Sequence, residues 1–246
     1  MTPRPSGMCL WPAALIVWGP GSAPGRHAHH CAQLSVALAG TLRVRKGPLA
    51  PWRRCRAVVV KPDAEHDVDA SGAFVLMALI GAGDLLGAVT ARLRSDVRMV
   101  SDDEAATWQR ALGDPQTLDA PRVTRWVSST LMENSSEPLL DTRVERVIRT
   151  LRQHPLDTRA TSLIALSQVA GLSPSRFAHV FADSMGVPVR PYMRWLRLQR
   201  AARELVSGHS VTHAAHTAGF ADAAHLTRTF RRTLGISPRM LIQRVS

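Results

Sequence analysis

The sequence predicts an α+β chain of two domains: a small N-terminal β-barrel, then an all-α domain in which two helix-turn-helix motifs are joined by a long helix. Three observations carry this. Residues 1–95 break into short apolar or β-branched runs split by glycine, proline and charge, the pattern of a strand-rich barrel or sandwich. Residues 162–238 hold one helical device twice, with turn glycines at Gly171 and Gly219. The charge divides between the same two parts: of a formal net +12, residues 141–246 hold sixteen arginines against six acids, and residues 1–140 hold fifteen bases against thirteen acids. A chain of 246 residues suits two cores, one for each domain. A basic domain attracts a polyanion, which by charge alone is DNA, RNA or an anionic membrane.

In the first part, Ala14–Trp18 reads as the first buried strand. Arg4, the apolar Leu10–Trp18 and Gly21-Ser22-Ala23 imitate a signal peptide, but Pro12 interrupts the run, and no segment is long and apolar enough to span a bilayer. Ala32–Ala39, Gly40-Thr41 and Leu42–Arg45 read as a hairpin with alternating faces. Ala57–Val60 and Phe74–Ile80 are unbroken apolar runs, expected as strands buried on both sides. Period-two alternation sets His27, His29, Cys31 and Gln33 on one face of a regular strand.

Residues 96–140 read as a helical segment and linker. Ser101 caps a helix that opens with Asp102-Asp103-Glu104, and Gly113-Asp114-Pro115 stops it. Val123–Met132 forms another helix, and Glu133–Pro138 is a polar, breaker-rich linker. Val123, Trp126, Val127 and Leu131 serve either a homodimer seam through 96–140 or packing on their own barrel.

Residues 141–246 open with Val144, Val147, Ile148 and Leu151 on one helix face. The first device ends its leading helix at Gly171, free to turn left-handed. Ser173 follows as N-cap with Pro174 at the first helical position. Phe177, Val180 and Phe181 share one face, and Gly186 is the stop. The second device repeats this, with Gly219 as the turn, Asp222 as the cap, Phe230 in the place of Phe181, and Gly235 as the stop. Arg190–Ser207 is one long helix between them, with Trp195, Leu198 and Leu205 turned inward. Its Arg194, Arg197, Arg200 and Arg203 form a solvated face or meet phosphate.

On these residues, above all Ala218-Gly219-Phe220-Ala221-Asp222, the run His225 to Arg232, and Gly235-Ile236-Ser237-Pro238, the stretch 144–244 resembles the DNA-binding domain of the AraC/XylS family of bacterial transcription regulators. The resemblance implies double-stranded promoter DNA as partner, RNA polymerase as a further contact, a cytoplasmic, nucleoid-associated protein, and no membrane. Recognition helices present the N-terminal half of one face to base edges. This singles out Ser175, Arg176 and His179 in the first, and Ala223, Ala224, Thr227 and Arg228 in the second. Arg228 reads a guanine or grips a phosphate, while Arg231 and Arg232 hold the backbone.

Residues Gly25 to Gln33, with Gly40 and then Pro62 to His66, are similar to the two motifs of a cupin barrel. Metal-binding cupins hold an ion with a His-x-His pair, a Glu and a later His. Here Gln33 stands near the place of the Glu, and a neutral amide is a poorer ligand than a carboxylate. His27, His29, Gln33 and His66 are therefore expected to line a pocket for a small-molecule effector, without metal or other cofactor. Metal binding by His27, His29 and His66, or a merely solvent-facing polar mouth, are the alternatives.

Three functions compete. The favoured one is a sequence-specific DNA-binding transcription regulator controlled through the barrel, not an enzyme. The second is a metal-dependent cupin enzyme fused to a DNA-binding domain. The third is a DNA-repair alkyl acceptor, but Cys9, Cys31 and Cys55 lack the clustered spacing that activates a thiolate on zinc, and equally lack a disulfide framework.

Overall fold

The computed structural model describes residues 6–11, 14–81, 86, 89–90, 93–131, 141–153 and 161–245. The readings that rest on Arg4, on Pro12 and on the linker at 133–138 lie outside them. Among the described residues no helix is long and apolar enough to cross a membrane.

The strands are β1 Gly7–Trp11, β2 Ala14–Pro20, β3 Ala32–Ala39, β4 Leu42–Arg45, β5 Arg53–Cys55, β6 Ala57–Val60, β7 Asp67–Asp69, β8 Phe74–Ile80 and β9 Val97–Met99. Six form one sheet in the order β1-β2-β8-β3-β6-β9, and β5-β4-β7 form another. The sheets face each other across Ala37, Val58, Val60 and Val75 on one side and Leu42, Val44 and Val68 on the other. As expected, β6 and β8 are buried along their whole length, and β2 is the first buried strand, behind a half-buried β1.

Two expectations are corrected. β3 and β4 make no hairpin, because β3 pairs with β6 and β8 while β4 pairs with β5 and β7. Gly40, at φ +77, turns the chain out of one sheet into the other. β3 is buried on both faces over most of its length and sits inside the large sheet, whereas β4, exposed at Arg43, belongs where one face meets solvent. Helical structure also begins later than residue 96. Val97–Met99 is still a strand, on the edge beside β6, and the first helix, α1, is Asp102–Leu112 with Ser101 as its cap.

Helix α2, Ala120–Trp126, runs into a π-turn at Val127–Leu131. With α1 it covers the outer face of the large sheet: Trp108, Leu112, Val123, Trp126 and Val127 share one apolar cluster with Ile16, Leu34, Leu76 and Ile80. Of the two uses open to Val123, Trp126 and Val127, packing on their own barrel is the one realised.

The rest is helical: α3 Thr142–Gln153, α4 Leu163–Ala170, α5 Pro174–Met185, α6 Val189–Val206, α7 Val211–Thr217, α8 Ala223–Leu234 and α9 Pro238–Val245. The pairs α4-α5 and α7-α8 are the two helix-turn-helix units, and α6 is the connector, burying Trp195, Leu198 and Leu205. Separate cores were expected, but Leu15, Val17, Cys31, Met77 and Leu79 of the large sheet join Trp195, Leu234, Ile236 and Leu241 in one cluster. Three strands of three or four residues cannot cover the inner face of a six-stranded sheet, so α6 and α9 cover the remainder. Gln199 donates 2.8 Å hydrogen bonds to the carbonyls of Trp11 and Ala14, and Arg244 donates to Ser22 Oγ at 2.8 Å. Trp195 lies so close to Gly81 that a Cβ there would stand 2.3 Å from its ring.

Candidate nucleic-acid interface and histidine cluster

The caps set the pitch of both recognition helices. Ser173 Oγ accepts the Arg176 N–H at the start of α5, and the Asp222 carboxylate accepts the His225 N–H at 2.6 Å at the start of α8. That hydrogen bond is the first cause holding the Asp222 carboxyl below its usual range. Phe177, Val180 and Phe181 point into the core from α5, and Leu226 and Phe230 from α8. The opposite faces therefore look outward. Ser175, Arg176, His179, Ala224, Arg228 and Arg231 are exposed, and Ala223 and Thr227 are half-buried. The Thr227 hydroxyl donates to the Ala223 carbonyl at 2.8 Å, which leaves its lone pairs able to accept.

A groove between α6 and α8 is lined by Arg194, His225, Arg228, Thr229, Arg232 and Thr233. Arg190 and Arg197 line a neighbouring hollow together with Ser162 and Phe220. Sequence reasoning set the base contacts on the recognition helices and left Arg194, Arg197, Arg200 and Arg203 of the connector as a solvated face or phosphate contacts. The connector's contribution was signalled by its arginine run, but the period of three did not say which members turn toward α8.

Arg232 has a partner on the barrel. It was expected to hold the DNA backbone, but its Nε–H donates to His30 Nε2 at 2.8 Å, and its carbonyl accepts the His30 N–H at 3.2 Å. His30 in turn bonds the Asp63 carboxylate through Nδ1. In this conformation Arg232 is committed to the barrel.

On the barrel side, the chain from His27 to Cys31 is no regular strand, since β3 begins only at Ala32. A single antiparallel bridge joins His27 to His66. The fold nevertheless brings His27, His29, Gln33 and His66 together. Ring centroids are 4.4 Å apart for His27 and His66, 4.9 Å for His29 and His66, and 5.5 Å for His27 and His29. Each Nδ1 lies on a backbone carbonyl: His27 on Gly25 at 2.8 Å, His29 on Cys31 at 2.9 Å and His66 on Ala64 at 2.8 Å. A ring that donates to such a carbonyl through Nδ1 leaves Nε2 to face its neighbours. One ligand atom from each ring lies within 4.8 Å of the others. His66 is fully buried and its Nε2 has no partner. His29 Nε2 is 3.0 Å from Gln33 Oε1, while the Gln33 amide donates to Ser35 Oγ. Burial pushes His66 down to about 4 and lowers His29, so both rings are neutral, the form that ligates metal.

The residues thus fit the metal that the cupin resemblance implies. Rings anchored through Nδ1 on carbonyls, with an orphaned Nε2 among them, are a donor set for zinc, copper, nickel or iron. The carboxylate of the metal-binding pattern is replaced by Gln33. The three cysteines give no support to an alkyl acceptor: burial pushes Cys9 and Cys55 up to about 11 and raises Cys31 as well, which keeps all three as thiols.

Fold and interface together define a protein with two helix-turn-helix units on one connector and a β-barrel docked against them. Residues 166–244 match the family described as a helix-turn-helix domain. Among curated proteins the chain is similar to the transcriptional regulator Rv1931c of Mycobacterium tuberculosis, 38% identical over 30% of this chain and 29% of that protein. It is similar to the transcriptional activator RhaS of Escherichia fergusonii, 35% identical over 42% of this chain and 37% of that protein, and to the transcriptional activator NphR of a Rhodococcus species, 35% identical over 39% and 28%. The chain thus matches less than two fifths of the length of each. Among solved structures, an apo variant of ToxT from Vibrio cholerae has the same fold, with TM-score 0.53 at 10% identity over 95% of this chain and 98% of that one. ToxT bound to a naphthalenyl-butenoic acid gives 0.50 at 10% identity over 95% and 98%. The C-terminal domain of this protein is an AraC/XylS-type double helix-turn-helix domain.

Proposed function

We propose that the chain is a sequence-specific transcription regulator that binds promoter DNA through residues 141–246 and takes a small-molecule effector in the N-terminal barrel, which runs on past residue 95 to include β9, with a helical segment and linker between the two. The observation that carries this is the pair of capped recognition helices, each presenting arginine and small polar side chains on the face opposite its phenylalanines. Ser175, Arg176 and His179 face one major-groove segment, and Ala223, Ala224, Thr227 and Arg228 another. Arg231 and Arg194 meet phosphate, and Arg232 does so only after leaving His30.

His27, His29, Gln33 and His66 form the effector pocket, and the structure of ToxT, similar in fold and bound to an organic acid, supports a small-molecule effector. The protein is not an enzyme in this reading. Contact with RNA polymerase, a homodimer through residues 96–140, and action on the nucleoid in the cytoplasm belong to the same proposal.

Selection of genomic fragments by the full chain tests it. One sequence class should bind about a thousandfold or more above random duplex, with affinity falling as salt rises. A folded chain that retains no duplex at low salt overturns it.

A further inference from the structure

The second recognition helix ends on the histidine cluster. Gly235, its C-cap at φ 72, packs so close that a Cβ there would stand 2.5 Å from His29 Cδ2 and 3.1 Å from His27 Nε2. One turn earlier, Arg232 holds His30 by side chain and by backbone. The whole last turn of α8 therefore rests on the loop that carries the three rings.

Two features of this seat call for a cation. One ring nitrogen from each of the three histidines lies within 4.8 Å of the others, and the buried Nε2 of His66 has nothing to satisfy it, an omission that costs free energy when left uncompensated. The C-terminal end of a helix also carries the negative end of its dipole and favours positive charge nearby, and α8 presents that end here. A divalent ion among the rings would answer both.

We propose that His27, His29 and His66 bind one divalent transition-metal ion of the zinc class, and that this ion is the ligand that fastens α8 to the barrel. The inference rests on the reading of the barrel as an effector domain and names the effector. Loading holds Gly235 and Arg232 on the barrel, so Arg232 stays off phosphate and the ion opposes DNA. By linkage, DNA weakens the ion's affinity by the same factor.

The test uses the full chain, stripped with a chelator and titrated with Co2+ and then Zn2+. One equivalent of Co2+ should bind with visible ligand-field absorption and be displaced by Zn2+, and both His66→Ala and the less buried His27→Ala should abolish the signal. Circular dichroism shows which variant is folded, and either one suffices. Amide exchange reads the fastening: the His30 N–H, bonded to the Arg232 carbonyl, should exchange about tenfold or more slowly in the loaded protein, reporting a more stable docked state. Binding to random-sequence duplex at low salt should weaken by at least about fivefold on loading, and Arg232→Gln should remove most of that difference.

Failure to hold a stoichiometric ion overturns the proposal and leaves a metal-free pocket. An ion that binds without slowing exchange at His30 overturns the fastening. If the ion binds and exchange slows but no duplex binds in either state, the metal clamp stands and the regulator reading falls.

Discussion

Arg228 and Arg232 lie one turn apart on the same helix and serve different partners. Arg228 is exposed in the groove shared with Arg194, whereas Arg232 reaches His30. Arg228→Ala is expected to cost about 1–3 kcal/mol at the specific site and to relax preference at one or two base pairs. Arg231→Ala should weaken every sequence alike and reduce the slope of affinity against salt by about one phosphate contact. Competition with operator variants separates them, and an equal loss on all sequences would move Arg228 to the phosphate class.

The elements are held by signals that act within a few residues. Ser173→Ala removes the acceptor for the Arg176 N–H and should cost about 1 kcal/mol of stability in a denaturant titration. Asp222 adds a pH dependence whose sign follows from its lowered pKa. A carboxyl depressed in the folded state stabilises it above the ordinary value of 3.8, and that contribution is lost as pH falls through the folded value. Asp222→Asn should therefore flatten the acid side of the pH–Tm curve below about pH 4 while leaving the neutral side little changed, since asparagine also caps well. A mutant curve that falls in acid as steeply as the wild type would mean that Asp222 is not a source of the acid sensitivity.

At the scale of the molecule, the shared apolar cluster predicts that barrel and helices unfold as one body. Leu241→Ala, at a fully buried position of α9, should cost about 2–5 kcal/mol. The loss should be seen equally in β8 and in α6 when amide exchange is followed in both. Exchange that accelerates in α6 alone would show that the two parts unfold separately.

What the sequence by itself determined was local. The caps at Ser101, Ser173 and Asp222, the left-handed turns at Gly171 and Gly219 and the inward phenylalanines were all legible, because each depends on backbone geometry within one or two turns. The fully buried strands at 57–60 and 74–80 were legible for a similar reason, an unbroken apolar run that no solvent-facing strand would carry. Which sheet Leu42–Arg45 joins, where Val97–Met99 pairs, and which face Val123 and Trp126 cover were decided only in three dimensions, by the need to cover the two faces of one large sheet. The same holds for the pairing of His30 with Arg232 and of Gly235 with His27 and His29. Neither residue of those pairs carries a local mark of its partner, which lies some two hundred positions away, and only docking of the helical domain on the open face of the barrel brings them into contact.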